Sequence, residues 1–191
     1  MTAVVINTGT TTEPNDTQLN NQTIELGSTA GAAATLVFSG DSGITFSSPT
    51  LNQTSVIDSA VPGQTTPEQS VLLALGTFIN QGSILANGPA GSTFTLQVSQ
   101  AATGTAAGYF INDQLIAATV GNTLDISIGT NAEFFNPGEV LANGGYINIS
   151  AAPGAIVGGL APVAGVFAMQ NGGTIEDNTA LTPGADGSSP Y

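Results

Sequence analysis

The sequence predicts an all-β fold, either a β-solenoid or a jelly-roll-like β-sandwich, with one short helix. Three observations support this prediction: apolar and polar residues alternate in many short runs, Asn and Gly residues separate those runs, and one phrase occurs twice. Alternation places every second side chain on the same face of a strand. Many short strands with close turns are typical of sandwiches, barrels and solenoids.

The alternating runs are the predicted strands. The two longest cover residues 92–99 and 122–128, and shorter ones cover residues 23–26, 44–47 and 146–150. Each places Leu, Ile, Val or Phe on one face and Thr, Ser, Asn or a carboxylate on the other. Turn signals such as Asn-Gly and Asn-Gly-Gly lie between the runs, because both residue types tolerate positive φ. We therefore expect half-buried strands around a shared core.

The one predicted helix covers residues 67–75. Thr66 is a suitable N-cap, Pro67 suits the first helical position, and Glu68 would complement the helix dipole. Apolar residues follow as far as Leu75, and Gly76 is a suitable stop.

An internal repeat favours the solenoid among the possible β folds. Residues 78–88 read FINQGSILANG, and residues 134–144 read FFNPGEVLANG. A degraded copy, FINDQ, begins at Phe110. Each full copy predicts a strand, an Asn-x-Gly turn, an apolar strand and an Asn-Gly turn, which is how one coil of a solenoid is built. The copies are unevenly spaced, so the sandwich alternative stays open.

The repeated phrase resembles the β-solenoid coils of autotransporter passengers and haemagglutinin-like surface exoproteins. The resemblance covers residues 76–150. It implies an elongated, secreted surface protein that serves in adhesion or assembly, with no catalytic residues to transfer to this chain.

Composition limits the chemistry. The 191 residues include no Lys, Arg, His, Cys or Trp, and 13 acidic residues give a net charge of −13. Without clustered cations the chain lacks the usual means of binding nucleic acid or an anionic membrane. Without His, Cys or Lys it lacks a base for Ser or Cys nucleophiles and the usual zinc ligands.

We therefore expect a protein that is not an enzyme. Paired carboxylates could in principle hydrolyse glycosides, but the chain has no Trp and only three Tyr to build a sugar platform. The absence of Lys and Arg also removes every site for trypsin-like proteases, which favours a secreted, cell-surface location.

Calcium is the cofactor that the acids suit best, because it prefers carboxylate and amide oxygens. The candidate ligands are Asp41, in a Gly-Asp-Ser-Gly turn, and the cluster of Glu176, Asp177 and Asn178. Neither group matches an EF-hand loop, so the alternative for each is a solvated turn.

The domain prediction separates an extended N-terminal segment, residues 1–14, from a single β domain, residues 15–191. Val4, Val5 and Ile6 are predicted to form a strand that is donated to a neighbouring subunit. The alternative is an ordinary first strand of the same domain. Lys is the commonest charge that blocks edge-to-edge pairing of strands, so its absence favours assembly.

These expectations give two functions. The first is a structural subunit of an extracellular fibre, surface layer or biofilm matrix, which binds copies of itself and divalent cations. The alternative is an adhesin module, a solenoid fragment of a larger exoprotein that binds surface carbohydrate.

Overall fold

A computed structural model describes most of the chain, and the described part contains β-strands but no helix. The described residues are 3–6, 9–13, 17–20, 23–27, 33–39, 42–45, 56–61, 63–99, 108–158 and 166–177. It follows that this part of the chain has no helix that could span a membrane.

The strands are short and follow one another closely. In chain order they are β1 Ala3–Ile6, β2 Gly9–Glu13, β3 Gln18–Asn20, β4 Thr23–Leu26, β5 Ala34–Ser39, β6 Ser42–Thr45, β7 Val56–Asp58, β8 Gln69–Leu75, β9 Thr77–Asn80 and β10 Ser83–Ala86. They continue as β11 Thr93–Ser99, β12 Gly108–Asn112, β13 Leu115–Ala118, β14 Thr123–Ile128, β15 Ala132–Phe135, β16 Glu139–Asn143, β17 Tyr146–Ala151, β18 Ile156–Gly158, β19 Val166–Gln170 and β20 Thr174–Asp177.

Every third strand belongs to the same sheet. Sheet A has the order β1-β4-β7-β10-β13-β16-β19, sheet B the order β2-β5-β8-β11-β14-β17-β20, and sheet C the order β18-β15-β12-β9-β6-β3. All neighbouring strands are parallel, as between β11 and β14 or between β13 and β16. The chain is therefore a three-sided parallel β-solenoid. The solenoid prediction is confirmed, and the jelly-roll alternative is wrong because a jelly roll pairs its strands antiparallel.

The core fills the solenoid from coil to coil. Along β14, Leu124, Ile126 and Ile128 are buried, whereas the residues between them are half-buried and face outward. The predicted runs at residues 23–26, 92–99, 122–128 and 146–150 agree with strands β4, β11, β14 and β17, and the run at 44–47 overlaps β6. The period-two pattern thus located strands and their buried faces together.

The helix predicted over residues 67–75 is wrong. Strand β8 occupies residues 69–75, with Ser70, Leu72 and Ala74 buried in alternation. Both neighbours, β5 and β11, pair with it in parallel along most of its length. Two ladders of backbone hydrogen bonds outweigh the weak helix preference of the local sequence.

Glu68 also differs from its predicted role at a helix start, because its side chain is buried at the turn before β8. Ser70 Oγ donates to Glu68 Oε1 over 3.3 Å. The carboxylate occupies space that only a glycine leaves free, since a Cβ on Gly27 would overlap Glu68 Oε1.

The internal repeat forms one corner of successive coils. Phe78, Phe110 and Phe134 lie in the same inward row, with ring centroids 5.0 and 5.5 Å apart. Phe38 adds a fourth ring at 5.0 Å from Phe78 in an edge-to-face arrangement. The prediction that the repeat marks coils is confirmed, and the degraded copy at Phe110 is one of them.

Several predicted turns have the backbone that their residues suggest. Gly121, Gly144 and Gly172 have φ of 77°, 72° and 77°, and Asn171 has φ of 50°. These residues lie at the corner between sheets A and B, where the left-handed conformation favours Gly and Asn.

Candidate functional site

The N-terminal strand β1 forms the described edge of sheet A. It pairs in parallel with β4 of its own chain, so that Val4 lies opposite Ile24, Val5 opposite Glu25 and Ile6 opposite Leu26. Ile6 is only 8% exposed. No strand among the described residues pairs with the other side of β1. Residues 4–6 thus pair with their own solenoid on one side and have no partner strand on the other side within the described segments.

The next strand, β2, presents a polar edge at the same end of the solenoid. Thr11 lies opposite Leu36 and Glu13 opposite Phe38, so both occupy inward rows. Leu36 and Phe38 are fully buried, whereas Thr11 and Glu13 are half-buried. Polar residues therefore take two inward positions on β2, whereas Ile6 on β1 and Leu19 on β3 belong to the core of the same coil.

Strands β18 and β19, near the C-terminal end of the described solenoid, expose apolar side chains. Met169 lies opposite Ala142 in register, yet Met169 is 63% exposed whereas Ala142 is fully buried. Val166 on the same strand is 54% exposed, and Ile156 on β18 is 49% exposed. Phe167 and Ile175 are only partly buried against the core. The last described coil thus leaves apolar surface uncovered.

Two of the four predicted calcium ligands, Glu176 and Asp177, lie on the edge strand β20, and both are exposed. Glu176 lies opposite Asn148 in an outward row, and Asp177 lies opposite Ile149 in an inward row. Successive strand residues point to opposite faces, so these two carboxylates do not converge on one ion. Asp41 and Asn178 lie outside the described residues. Within the described segments, no group of three acidic residues is close enough to hold a metal.

Glu176 has a different partner, the phenol of Tyr146. Tyr146 Oη donates a hydrogen bond to Glu176 Oε2. This bond to the carboxylate is the main cause that raises the pKa of Tyr146. The pair connects β17 to β20 and fixes the outer face of the last described coil.

An acidic pair lies on the second and third strands of sheet A. Glu25 and Asp58 are direct neighbours on β4 and β7. Burial is the main cause that raises the pKa of Asp58, and the charge of Glu25 adds to it, while hydrogen bonds from Ala60 and Asn87 oppose it. Sequence reasoning missed this pair, because register between residues so far apart is not visible in one sequence.

A surface groove of about 390 Å³ lies where sheets C and A meet. Its lining residues are Asp113, Gln114, Leu115, Pro137, Gly138, Glu139 and Val166. It contains two carboxylates but no aromatic side chain, and aromatic rings are a usual part of ligand pockets.

The fold defines the class of the molecule as a parallel β-solenoid. Comparison with family models, with curated proteins and with solved structures finds no match to this chain.

Proposed function

We propose that the chain is a non-catalytic structural subunit that assembles with copies of itself, through β-strand contacts, in an extracellular fibre, surface layer or matrix. The observation that supports it best is the pair of free edges of sheet A, at β1 and β19, which have no partner strand among the described residues. Free edges are templates for further strands, and natural proteins block them with Lys or Pro when they must not pair.

Composition supports the extracellular part of the proposal. The chain offers no Lys or Arg to trypsin-like proteases. Its coils resemble those of secreted surface exoproteins, in which solenoids serve in adhesion and assembly. Divalent cations would favour contact between subunits that each bear a net charge of −13.

The test is the assembly state of the purified chain. Sedimentation velocity over a hundredfold range of concentration, with and without calcium, should show species that grow with concentration, and electron microscopy should show ordered multimers. A chain that remains monomeric at every concentration with calcium contradicts the proposal.

The second candidate is an adhesin module, whose ligand would lie in the groove between Asp113 and Glu139, where two carboxylates and the Gln114 amide offer hydrogen bonds to hydroxyl groups. A module of this kind would remain monomeric and would bind a surface polysaccharide. Binding of a polysaccharide array by the monomer, lost in the Asp113→Ala variant, would select this alternative.

A further inference from the structure

The two edge strands of sheet A in the described part of the chain, β1 and β19, both have apolar sequences. Strand β1 consists of Ala-Val-Val-Ile, and β19 begins with Val-Phe-Ala-Met. They lie at opposite ends of the same sheet. Neither strand contains a charged residue or a proline, although these are the usual means of preventing contact between edges.

We propose that a second copy of this chain docks head to tail, so that β19 of one copy pairs in parallel with β1 of the next. This inference rests on the proposed function, because it specifies the surfaces through which the subunits join. The same step brings β20 to β2, since sheets A and B each have seven strands and end in the same coil. Sheet C has six strands, so one strand position separates β18 of one copy from β3 of the next. A second copy is the partner whose parallel strands β1 and β2 match the edges β19 and β20 in direction and spacing.

The register of the sheets identifies which residues meet. One outward row in sheet B runs from Thr10 through Thr35, Val71, Thr95, Asp125 and Asn148 to Glu176. Continuing this row across the joint places Glu176 of one copy beside Thr10 of the next. The inward row of Ala142 and Met169 likewise continues to Ile6, which covers the exposed side chain of Met169.

The distribution of charges favours the head-to-tail joint over a joint between two C-terminal ends. Strand β20 contains Glu176 and Asp177, so two such strands face to face would bring four carboxylates together. The head-to-tail joint instead places β20 against β2, which has Thr10, Thr11 and Thr12 before its one acid, Glu13. Like charges on neighbouring strands are destabilising.

Disulfide trapping tests the joint directly, because the native chain has no cysteine. The double variant Thr10→Cys/Glu176→Cys places one thiol at each end of the shared row. Neighbouring strands are about 4.8 Å apart, and disulfides join Cα atoms about 4.4–6.8 Å apart. Mild oxidation should give a ladder of covalent multimers on a non-reducing gel. The control Thr10→Cys/Asp125→Cys has its second thiol in the middle of the row and should give no ladder.

A matched pair of charge variants gives a second measurement. Met169→Lys adds a cation at the proposed joint, and Val120→Lys adds one at a turn between β13 and β14; both native side chains are exposed. Met169→Lys should raise the concentration needed for assembly at least about tenfold, which corresponds to about 1.4 kcal/mol. Val120→Lys should assemble like the native chain.

The outcomes separate this inference from the proposed function. Multimers that form without the ladder, or equally in both Lys variants, overturn the head-to-tail joint and leave self-assembly in place. Dimers trapped as efficiently with Glu176→Cys alone show that two C-terminal ends join, which also overturns it. A native chain that is monomeric throughout overturns both.

Discussion

The side chains of Asn80 and Asn112 are joined inside the solenoid by a 2.7 Å hydrogen bond from Nδ2 of Asn80 to Oδ1 of Asn112. Asn112 donates in the same way to Asn136, also over 2.7 Å. Each of the two donors also contacts a backbone carbonyl of the following coil, that of Leu115 or Glu139, at 3.1 Å. All three amides are buried. This amide ladder lies two residues after the stacked phenylalanines and fixes the corner between sheets C and A.

Replacing Asn112 by Ala should destabilise the fold. The change removes the acceptor of Asn80 and the donors to Asn136 Oδ1 and to the Glu139 carbonyl. Each buried polar group left unsatisfied costs about 1–3 kcal/mol. Urea unfolding followed by circular dichroism measures the loss. The control is Asn143→Ala, which removes an exposed amide pair with Asn171 and should change stability by less than about 0.5 kcal/mol. Equal losses of unfolding free energy in the two variants would show that the buried ladder contributes no more to stability than the exposed pair.

Replacing Phe110 by Ala should cost about 3–5 kcal/mol, because the ring is fully buried between Phe78 and Phe134. Phe135, on the outward face of β15, is the matched control because its ring is half-buried. Phe135→Ala should therefore cost clearly less in the same urea titration. A larger loss for Phe135→Ala would contradict the assignment of the inward row as the core.

Replacing Asp58 by Asn should stabilise the folded chain at pH 7. Burial raises the pKa of Asp58 in the fold above its ordinary value of 3.8, so the folded state binds its proton more tightly than the unfolded state does. The protonated carboxyl thus contributes stability at low pH, and this contribution is lost as the pH rises through the folded pKa. The amide introduced by Asp58→Asn would keep an oxygen to accept from the Ala60 N–H, which lies 2.8 Å from Asp58 Oδ1 in the native chain.

The measurement for Asp58→Asn is the melting temperature between pH 3 and pH 7. The advantage of the variant should be greatest at pH 7 and should shrink towards pH 3, where the native carboxyl is protonated too. Asp125→Asn is the control, since it removes one charge outside the Glu25 and Asp58 pair. A native chain that is more stable than the Asp58→Asn variant at pH 7 would refute the argument.

Assembly should be easier near the sequence pI of about 4.1 than at pH 8 without divalent ions. Neutralising the carboxylates removes the repulsion among subunits that each have a net charge of −13. Light scattering should therefore fall as the pH rises from 4 to 8. At pH 8, salt should restore part of the signal, because the Debye length drops from about 10 Å at 0.1 M to about 3 Å at 1 M. Scattering that increases from pH 4 to pH 8 would contradict this expectation.

Local patterns in the sequence predicted the strands and the coils. The inward residues of β11 and β14 follow from alternation alone, and the repeated Phe and Asn identified one corner of successive coils. These features depend on neighbours within a few residues, so a single sequence displays them.

The remaining features depend on pairing between distant segments. The caps around Pro67 predicted a helix, but β5 and β11 impose a strand on β8 from both sides. The charges of Glu25 and Asp58 likewise become neighbours through the register between strands. The exposure of Met169 follows from its position in the last described coil. The feature of the sequence that could have indicated this exposed end was the apolar composition of β19.

The amide ladder also shows which part of each coil is constant and which part varies in length. Asn80 and Asn112 are 32 residues apart, whereas Asn112 and Asn136 are 24 apart, yet both pairs form the same bond. The difference in length is accommodated outside the three strands of each coil, mainly between the end of β11 at Ser99 and the start of β12 at Gly108. The two bonds have the same length of 2.7 Å, so this difference in spacing leaves the ladder intact. Coils of different length and different sequence can therefore form the same corner.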